Sequence, residues 1–409
     1  MSSPTSFPRE RIRITLLENI HPAARETLVD AGYSVEVIPR ALDGDELNAV
    51  VAASHVLGVR SRTKLRAAQL EHANKLLAIG CFSVGTDQVA INEAAHAGVP
   101  VFNAPHASTR SVAELTIGNI IALARRIGDK NNKLHRGEWD KSLSGAHEVR
   151  GRSLGIVGYG HIGQQVGLLA EAFGMRVVFH DIQKKLPLGL CRPVNTLDAL
   201  LEQSDFLSLH VPDTPRTRGL IGAAQLDRLK PGSYVINLSR GSVVDVESLR
   251  AALRSGHLAG AALDVFPTEP APTNAEFDVG FDALPNVILT PHVGGNTEEA
   301  QRDIGIEVAN SFIGFIDRGS TEGAVNFPHV NLPAIPETHR ILNIHRNVPG
   351  ALAEVNKIVS EVGANIEAQQ LATTRDIGYL VMDVNRELSD EVNARIAQLP
   401  MSVRTRILY

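Results

Sequence analysis

The chain has 409 residues, too many for one ordinary hydrophobic core, so two or three domains are expected. A formal net charge of -5 excludes a general nucleic-acid binder, which needs a basic face, and 44% hydrophobic residues is ordinary for a soluble globular protein. Cys81 and Cys191 fit neither a metal-ligand spacing nor a disulfide framework, and they are expected as small buried residues in a reducing compartment. No secretory signal is visible at the N-terminus and no run of about 18 apolar residues occurs, so a cytoplasmic location with no membrane partner is expected.

In chain order, IRITLLE, YSVEVI, HVLGV, LLAIG and VPVF read as strands with helical segments between them. That alternation implies a parallel sheet with helices on both faces. A long helix is expected to start at Ser111, where Ser111 and Glu114 form a capping-box pattern before Leu115, Ile117, Ile120, Ile121 and Leu123. A second series follows: SLGIVG, RVVFHD, DFLSLHV, SYVINLS, AGAALDVF and NVILTP. Six strands with intervening helices fit a doubly wound, Rossmann-type dinucleotide-binding sheet. Thr297 to Phe315 reads as another helix, with Asn296 as N-cap. NFPHVNLPAIPETHR has three prolines and little periodicity and reads as a linker. From about residue 340 the order is βαββαβ, a ferredoxin-like unit. The expected division is 7–107 (completed by 297–330), 108–296, a linker over 331–339, and 340–409.

GIVGYGHIG carries Gly158, Gly160 and Gly163 in G-x-G-x-x-G spacing between a strand and a helix. Gly158 permits a tight turn, Gly160 lets backbone approach a pyrophosphate, and Gly163 lets helix and strand pack closely. The helix N-terminus then faces the phosphates with free N–H groups. The next strand ends in Asp181. A carboxylate there accepts from both ribose hydroxyls and repels a 2′-phosphate, which favours NAD over NADP. Lys184 and Lys185 nearby act against that preference.

Hydride transfer to or from a hydroxyacid needs a cation for the carboxylate and reacting oxygen, a base for the hydroxyl proton, and a group that orients the base. INLSRGSVVD offers Arg240, LDVFPTEP offers Asp264 and Glu269, and LTPHVGG offers His292. All follow strands, and ligands of open α/β sheets bind beyond the carboxyl ends of strands. Elsewhere, GVRSRTKL places Arg60 and Arg62 around Ser61, two guanidinium groups that on an extended segment point the same way and can clamp a phosphate. Lys141, beside Trp139, adds another cation.

The set GYGHIG, NLSRGSVVD, DVFPTEP and TPHVGG resembles the D-isomer-specific 2-hydroxyacid dehydrogenase family, over most of residues 55–326. The resemblance implies a flavodoxin-like substrate domain beside the NAD domain, and Arg240, Glu269 and His292 as catalytic residues. It implies cofactor contacts from Gly158, Gly160, His161, Ile162, Gly163, Asp181, Leu238, Ser239, Arg240, Asp264, His292, Gly294 and Gly295. RSRT, NAPHASTRSVAEL, HRGEWDK and AVNFP are similar to the bacterial branch that oxidises 3-phosphoglycerate to 3-phosphohydroxypyruvate, opening serine biosynthesis. In that branch Arg60, Ser61, Arg62, Ser108, Lys141, Arg240 and His292 are implied to meet the substrate. Ser108 departs from the branch, which usually has Asn there.

IHRNVPGALAEV resembles an ACT domain, a module that binds amino acids between paired copies. The resemblance implies L-serine as an effector, contacting His345, Asn347 and Asn365, and a homotetramer with no metal. Related serine-inhibited enzymes carry Gly-Gly before this domain where AIPETHR stands here, so coupling is expected to differ. Two other readings are weighed: a sister dehydrogenase acting on 2-hydroxyglutarate, if only as a side activity, and an NADH-sensing regulator on the same fold. Against the regulator stand the intact Arg, Glu and His set and the lack of a visible partner-binding tail.

Overall fold

The structure, a computed structural model, describes residues 8–270, 276–282 and 284–409. The expected start of the first domain, at residue 7, lies outside the described residues. The chain divides into two compact units, Met1–Ala107 with Gln301–Tyr409, and Ser108–Ala300.

In the first unit five parallel strands, β1 (Arg13–Leu17), β2 (Ser34–Ile38), β3 (Val56–Val59), β4 (Ala78–Cys81) and β5 (Val101–Phe102), pair in the order β2-β1-β3-β4-β5. This is the flavodoxin-like order, and all five expected strands are present. β3 and β4 are buried along their whole length, so they read as continuous apolar runs, whereas the edge strand β2 is largely exposed. The helix Glu298–Arg318 lays Phe312 over β4. Gly80 permits this, since a Cβ there would lie 2.4 Å from the Phe312 ring. Thr297, not Asn296, caps this helix: its hydroxyl accepts from Ala300 N at 3.2 Å.

The unit also contains an antiparallel sheet of β13 (Thr338–Arg346), β14 (Ile366–Thr373), β15 (Ile377–Asn385) and β16 (Ser402–Leu408), in the order β14-β15-β13-β16. With the helices Ala351–Val362 and Ser389–Ala397 it forms the expected βαββαβ unit. Successive strand residues face opposite sides. Ile341, Leu380 and Met382 pack with Val355, Val359, Val392 and Ile396 of the two helices, while Leu342, Ile344 and Tyr379 join a core with Phe312, Phe315 and Phe327. Each such fully buried large side chain contributes about 1.5–3 kcal/mol. The proline-rich segment is not loose. Arg340 donates to the carbonyls of Arg318, Leu332 and Pro333 and to both oxygens of Asp383. Glu337, where the linker enters β13, has φ +65°, a left-handed torsion that favours glycine.

In the second unit the sheet has seven parallel strands: β6 (Ser153–Val157), β7 (Arg176–His180), β8 (Arg192–Pro193), β9 (Phe206–Leu209), β10 (Ser233–Asn237), β11 (Leu258–Leu263) and β12 (Val287–Leu289). Their order is β12-β11-β10-β9-β6-β7-β8, a Rossmann arrangement extended by one strand. The six expected strands are joined by β8, two exposed residues on the edge where Pro193 is tolerated. The long helix runs from Thr109 to Arg125, so its start at Ser111 is corrected to Thr109. The Ser111 hydroxyl pairs with that of Thr297 and Glu114 takes Arg110, so the capping-box pattern lies inside the first turns. Both cysteines are buried and free.

Candidate active site

The turn after β6 and the helix His161–Ala172 build a dinucleotide cradle. Gly158 has φ +88°, and a Cβ there would lie 2.3 Å from the His210 carbonyl oxygen. A Cβ on Gly163 would lie 2.2 Å from the Gly158 carbonyl oxygen, so helix and strand touch through these two glycines. A Cβ on Gly160 would meet nothing within 4 Å. Internal packing therefore does not demand glycine at 160; its lack of a side chain leaves open space over the helix N-terminus, which fits a pyrophosphate. His161 and Ile162 open that helix.

Asp181 follows β7, and its carboxylate accepts from Tyr159 N and Gln183 N, each at 2.8 Å. It thus ties the glycine turn to the strand that carries it. The Tyr159 ring stacks on Phe179 at 3.6 Å, which stiffens the same turn.

β10, β11 and β12 are neighbours, so their carboxyl ends lie side by side. Arg240 follows β10 on a turn built by Asn237, a buried residue that the sequence reading missed. Asn237 Nδ2 donates to Arg240 O at 2.9 Å, and its Oδ1 accepts from the amide and hydroxyl of Ser239. Leu238 is buried between them. A Cβ on Gly241 would lie 1.9 Å from the carbonyl carbon of Phe266, so this glycine seats the Glu269 loop against the Arg240 turn.

His292 follows β12 at φ +53°. Its Nδ1 meets Glu269 Oε2 at 2.8 Å, while Glu269 Oε1 accepts from Phe266 N at 3.1 Å. The Glu269 hydrogen bond raises the His292 pKa above its ordinary value; burial opposes this, the Glu269 and Asp264 charges add to it, and the Arg240 charge subtracts. Burial pushes the Glu269 carboxyl up, but the bond and charge of His292, the Phe266 amide and Arg240 outweigh it, and its pKa is lowered. Arg240 acts on both groups, so all three sequence-predicted residues share one electrostatic neighbourhood.

Asp264 is buried and well occupied. Its carboxylate accepts from the Thr290 hydroxyl at 2.6 Å, Val293 N at 2.9 Å and Gly294 N at 2.8 Å, and its carbonyl accepts from His292 N at 2.8 Å. These bonds hold the strained His292 turn. A Cβ on Gly295 would lie 3.2 Å from Cβ of Ser108, which brings buried Ser108 to the same turn. Lys141 and Trp139 are exposed in the segment that follows the helix Ile127–His135.

Arg60, Ser61 and Arg62 belong to the first unit. The segment is a bend after β3 and not the expected extended stretch. The backbone N–H groups of Arg60, Arg62 and the following Thr63 converge on one buried carboxylate, Glu18. Arg60 is partly buried, which lowers its pKa, and the Glu18 charge counters that. Arg62 is exposed, with Nε 3.9 Å from Glu18.

In the C-terminal sheet His345 is buried, with Nδ1 on Asn343 Oδ1 at 2.9 Å. A Cβ on its cross-strand partner Gly378 would lie 2.2 Å from His345 Nε2. Asn347 donates to Thr374 O at 2.9 Å, and Asn365 to Glu367 at 2.6 Å. His345 and Asn347 lie at the Ile377 end of β15, while Asn365 meets Asn385 at the other. Nine extended residues put roughly 27 Å between those ends, so one chain does not bring the three together.

A model of the D-isomer specific 2-hydroxyacid dehydrogenase NAD binding domain matches residues 117–294, and a model of the AHAS small subunit-like ACT domain matches residues 341–402. The chain is 50% identical over 409 residues to the D-3-phosphoglycerate dehydrogenase of Dictyostelium discoideum, covering 100% of both. It is 48% identical over 407 residues to the enzyme of the same name from Escherichia coli K12, covering 99% of both. Among solved structures it is similar to D-lactate dehydrogenase from Aquifex aeolicus complexed with NAD and lactic acid, at 27% identity and TM-score 0.67, covering 77% of this chain and 99% of that one.

Proposed function

The chain belongs to the D-isomer-specific 2-hydroxyacid dehydrogenase family, and we propose that it oxidises 3-phospho-D-glycerate to 3-phosphohydroxypyruvate with NAD, under inhibition by L-serine. The observation that carries the chemistry is the His292–Glu269 pair at 2.8 Å with Arg240 beside it. When bound, NAD would supply a hydride acceptor, its nicotinamide ring. Gly158, Gly160 and the N-terminus of the helix His161–Ala172 would hold its pyrophosphate, and Asp181 its ribose.

Arg240 holds the substrate carboxylate and polarises the C2 oxygen. His292 removes the hydroxyl proton as C2 loses its hydride, and Glu269 stabilises the imidazolium that forms. In the reverse direction the imidazolium returns that proton. Arg60, Ser61 and Arg62 take the phosphate, assisted by Lys141. Ser108, beside Gly295, is the shorter replacement for an amide donor and leaves more of the carboxylate to Arg240.

Serine is bound between two C-terminal domains, where Asn365 of one copy meets His345 and Asn347 of the other. The opposite-end placement of these residues supports that reading, because a two-fold axis reunites them. Pairing of these domains on one surface and of the nucleotide domains on another gives a tetramer. The protein acts in the cytoplasm.

The test is NADH oxidation by the purified protein with 3-phosphohydroxypyruvate across a serine titration. Turnover that falls with serine supports substrate, cofactor and effector together. Turnover indifferent to serine removes the effector, and absence of turnover removes the substrate.

A further inference from the structure

Glu18 sits just past the end of β1, in none of the catalytic or cofactor motifs, and only 3% of it is exposed. We infer that Glu18 is a positioning residue for phosphate recognition: its carboxylate sets the shape of the Arg60–Ser61–Arg62 bend. This role rests on the reading that those residues take the substrate phosphate.

A bend whose successive N–H groups point inward is an anion trap in its own right. Here the trap is filled from inside. Glu18 Oε1 accepts from Thr63 N at 2.7 Å and from Arg60 N at 3.3 Å, and Oε2 accepts from Arg62 N at 2.9 Å. The backbone donors of Arg60, Arg62 and Thr63 are therefore spent on the protein's own carboxylate. An incoming phosphate meets the side chains of Arg60, Ser61 and Arg62. With Nε at 3.9 Å from Oε2, the Arg62 guanidinium is also drawn toward the anchored bend.

The chain accepts strain to deliver this carboxylate. Glu18 and Asn19 have φ of +64° and +51°, torsions that non-glycine residues rarely adopt. The Glu18 amide is held by Ile38 O at 3.0 Å and Arg40 O at 3.3 Å, which anchors the turn to the neighbouring strand. The far side of the bend is held as well: the buried Thr63 hydroxyl accepts from Leu42 N at 3.3 Å. Replacing the carboxylate by an amide puts an N–H₂ group against backbone N–H donors, and the bend must open to separate them.

The experiment uses the full-length chain carrying Glu18→Gln, with Glu18→Asp as a second variant that keeps the charge but retracts it by one methylene. The quantity read is the ratio of kcat/KM for 3-phosphohydroxypyruvate to that for unphosphorylated hydroxypyruvate. The expected result is a fall of about tenfold in this ratio, carried by KM and far less by kcat. A ratio equal to that of the unsubstituted chain overturns the role, whether both activities persist or both decline together. Arg62→Ala is measured beside them. If it also leaves the ratio intact, the phosphate reading itself falls and takes the role of Glu18 with it. If only Arg62→Ala lowers the ratio, the reading stands and Glu18 is an ordinary buried anchor.

Discussion

Each unit holds one prominent cation–carboxylate pair, and the two are built for opposite ends. Arg340 and Asp383 meet at 2.7 Å with side chains 7% and 1% exposed. The remaining donors of Arg340 are spent on three carbonyls, so the guanidinium is fixed on every side. His292 and Glu269 meet at 2.8 Å, but their side chains are 52% and 34% exposed. The hydrogen bond and charge of Glu269 raise the pKa of this exposed imidazole, a group that can both take and release a proton. Similar distances thus suit a clamp in one place and the proposed proton store in the other. Burial and the nature of the cation separate them, not the length of the contact.

The comparison can be broken most sharply at the proton store. His292→Asn should lower kcat in both directions by about 10²–10⁴, the usual worth of a positioned acid–base group, read by steady-state NADH absorbance. Thermal unfolding should barely move, which a structural role for the pair would contradict. At the clamp the readouts exchange places. Asp383→Asn leaves a buried guanidinium unpaired and should destabilise the chain by roughly 3–5 kcal/mol in urea unfolding. A loss below about 1 kcal/mol would mean that water reaches the pair.

Glu269→Gln sharpens the contrast through pH. Reduction needs imidazolium, so its rate is high below the His292 pKa and is lost as pH rises through it. Oxidation needs the neutral ring and follows the opposite course. Since Glu269 raises that pKa, its removal should move both limbs to lower pH, as read in kcat/KM profiles for the two directions. Limbs that stay in place would assign the proton to another group. The smallest effect is expected in the linker. Glu337→Gly relieves a left-handed torsion at φ +65° and should stabilise the chain by up to about 1 kcal/mol, visible as a higher Tm.

Wherever local pattern dictates structure, the sequence was readable. The glycine turn with Asp181, the five strands of the first sheet and the helix Ala351–Val362 all follow from spacing within one or two elements. Errors arose where a local pattern has two meanings. Ser-x-x-Glu marks a helix start, yet at Ser111 it lies inside a helix already under way from Thr109. β8 is too short and too exposed to carry a strand signature. The residues that hold the sites in shape were hidden for another reason. Glu18, Asn237 and Arg340 act on backbone groups or on partners distant in sequence, and nothing in their own neighbourhood advertises that. The one available hint is a polar residue at or near the end of an apolar strand, as Glu18 and Asn237 both are.

Gly378 offers a lever for engineering. Its backbone torsions are open to any residue, so glycine stands there only because the His345 imidazole occupies the place of a side chain. A single added methyl group would compete with that ring for the same volume, far along the chain from every residue that handles hydride or proton. On the proposal that serine binds at His345, that methyl is the smallest change by which a producer strain would lose the effector while turnover is kept.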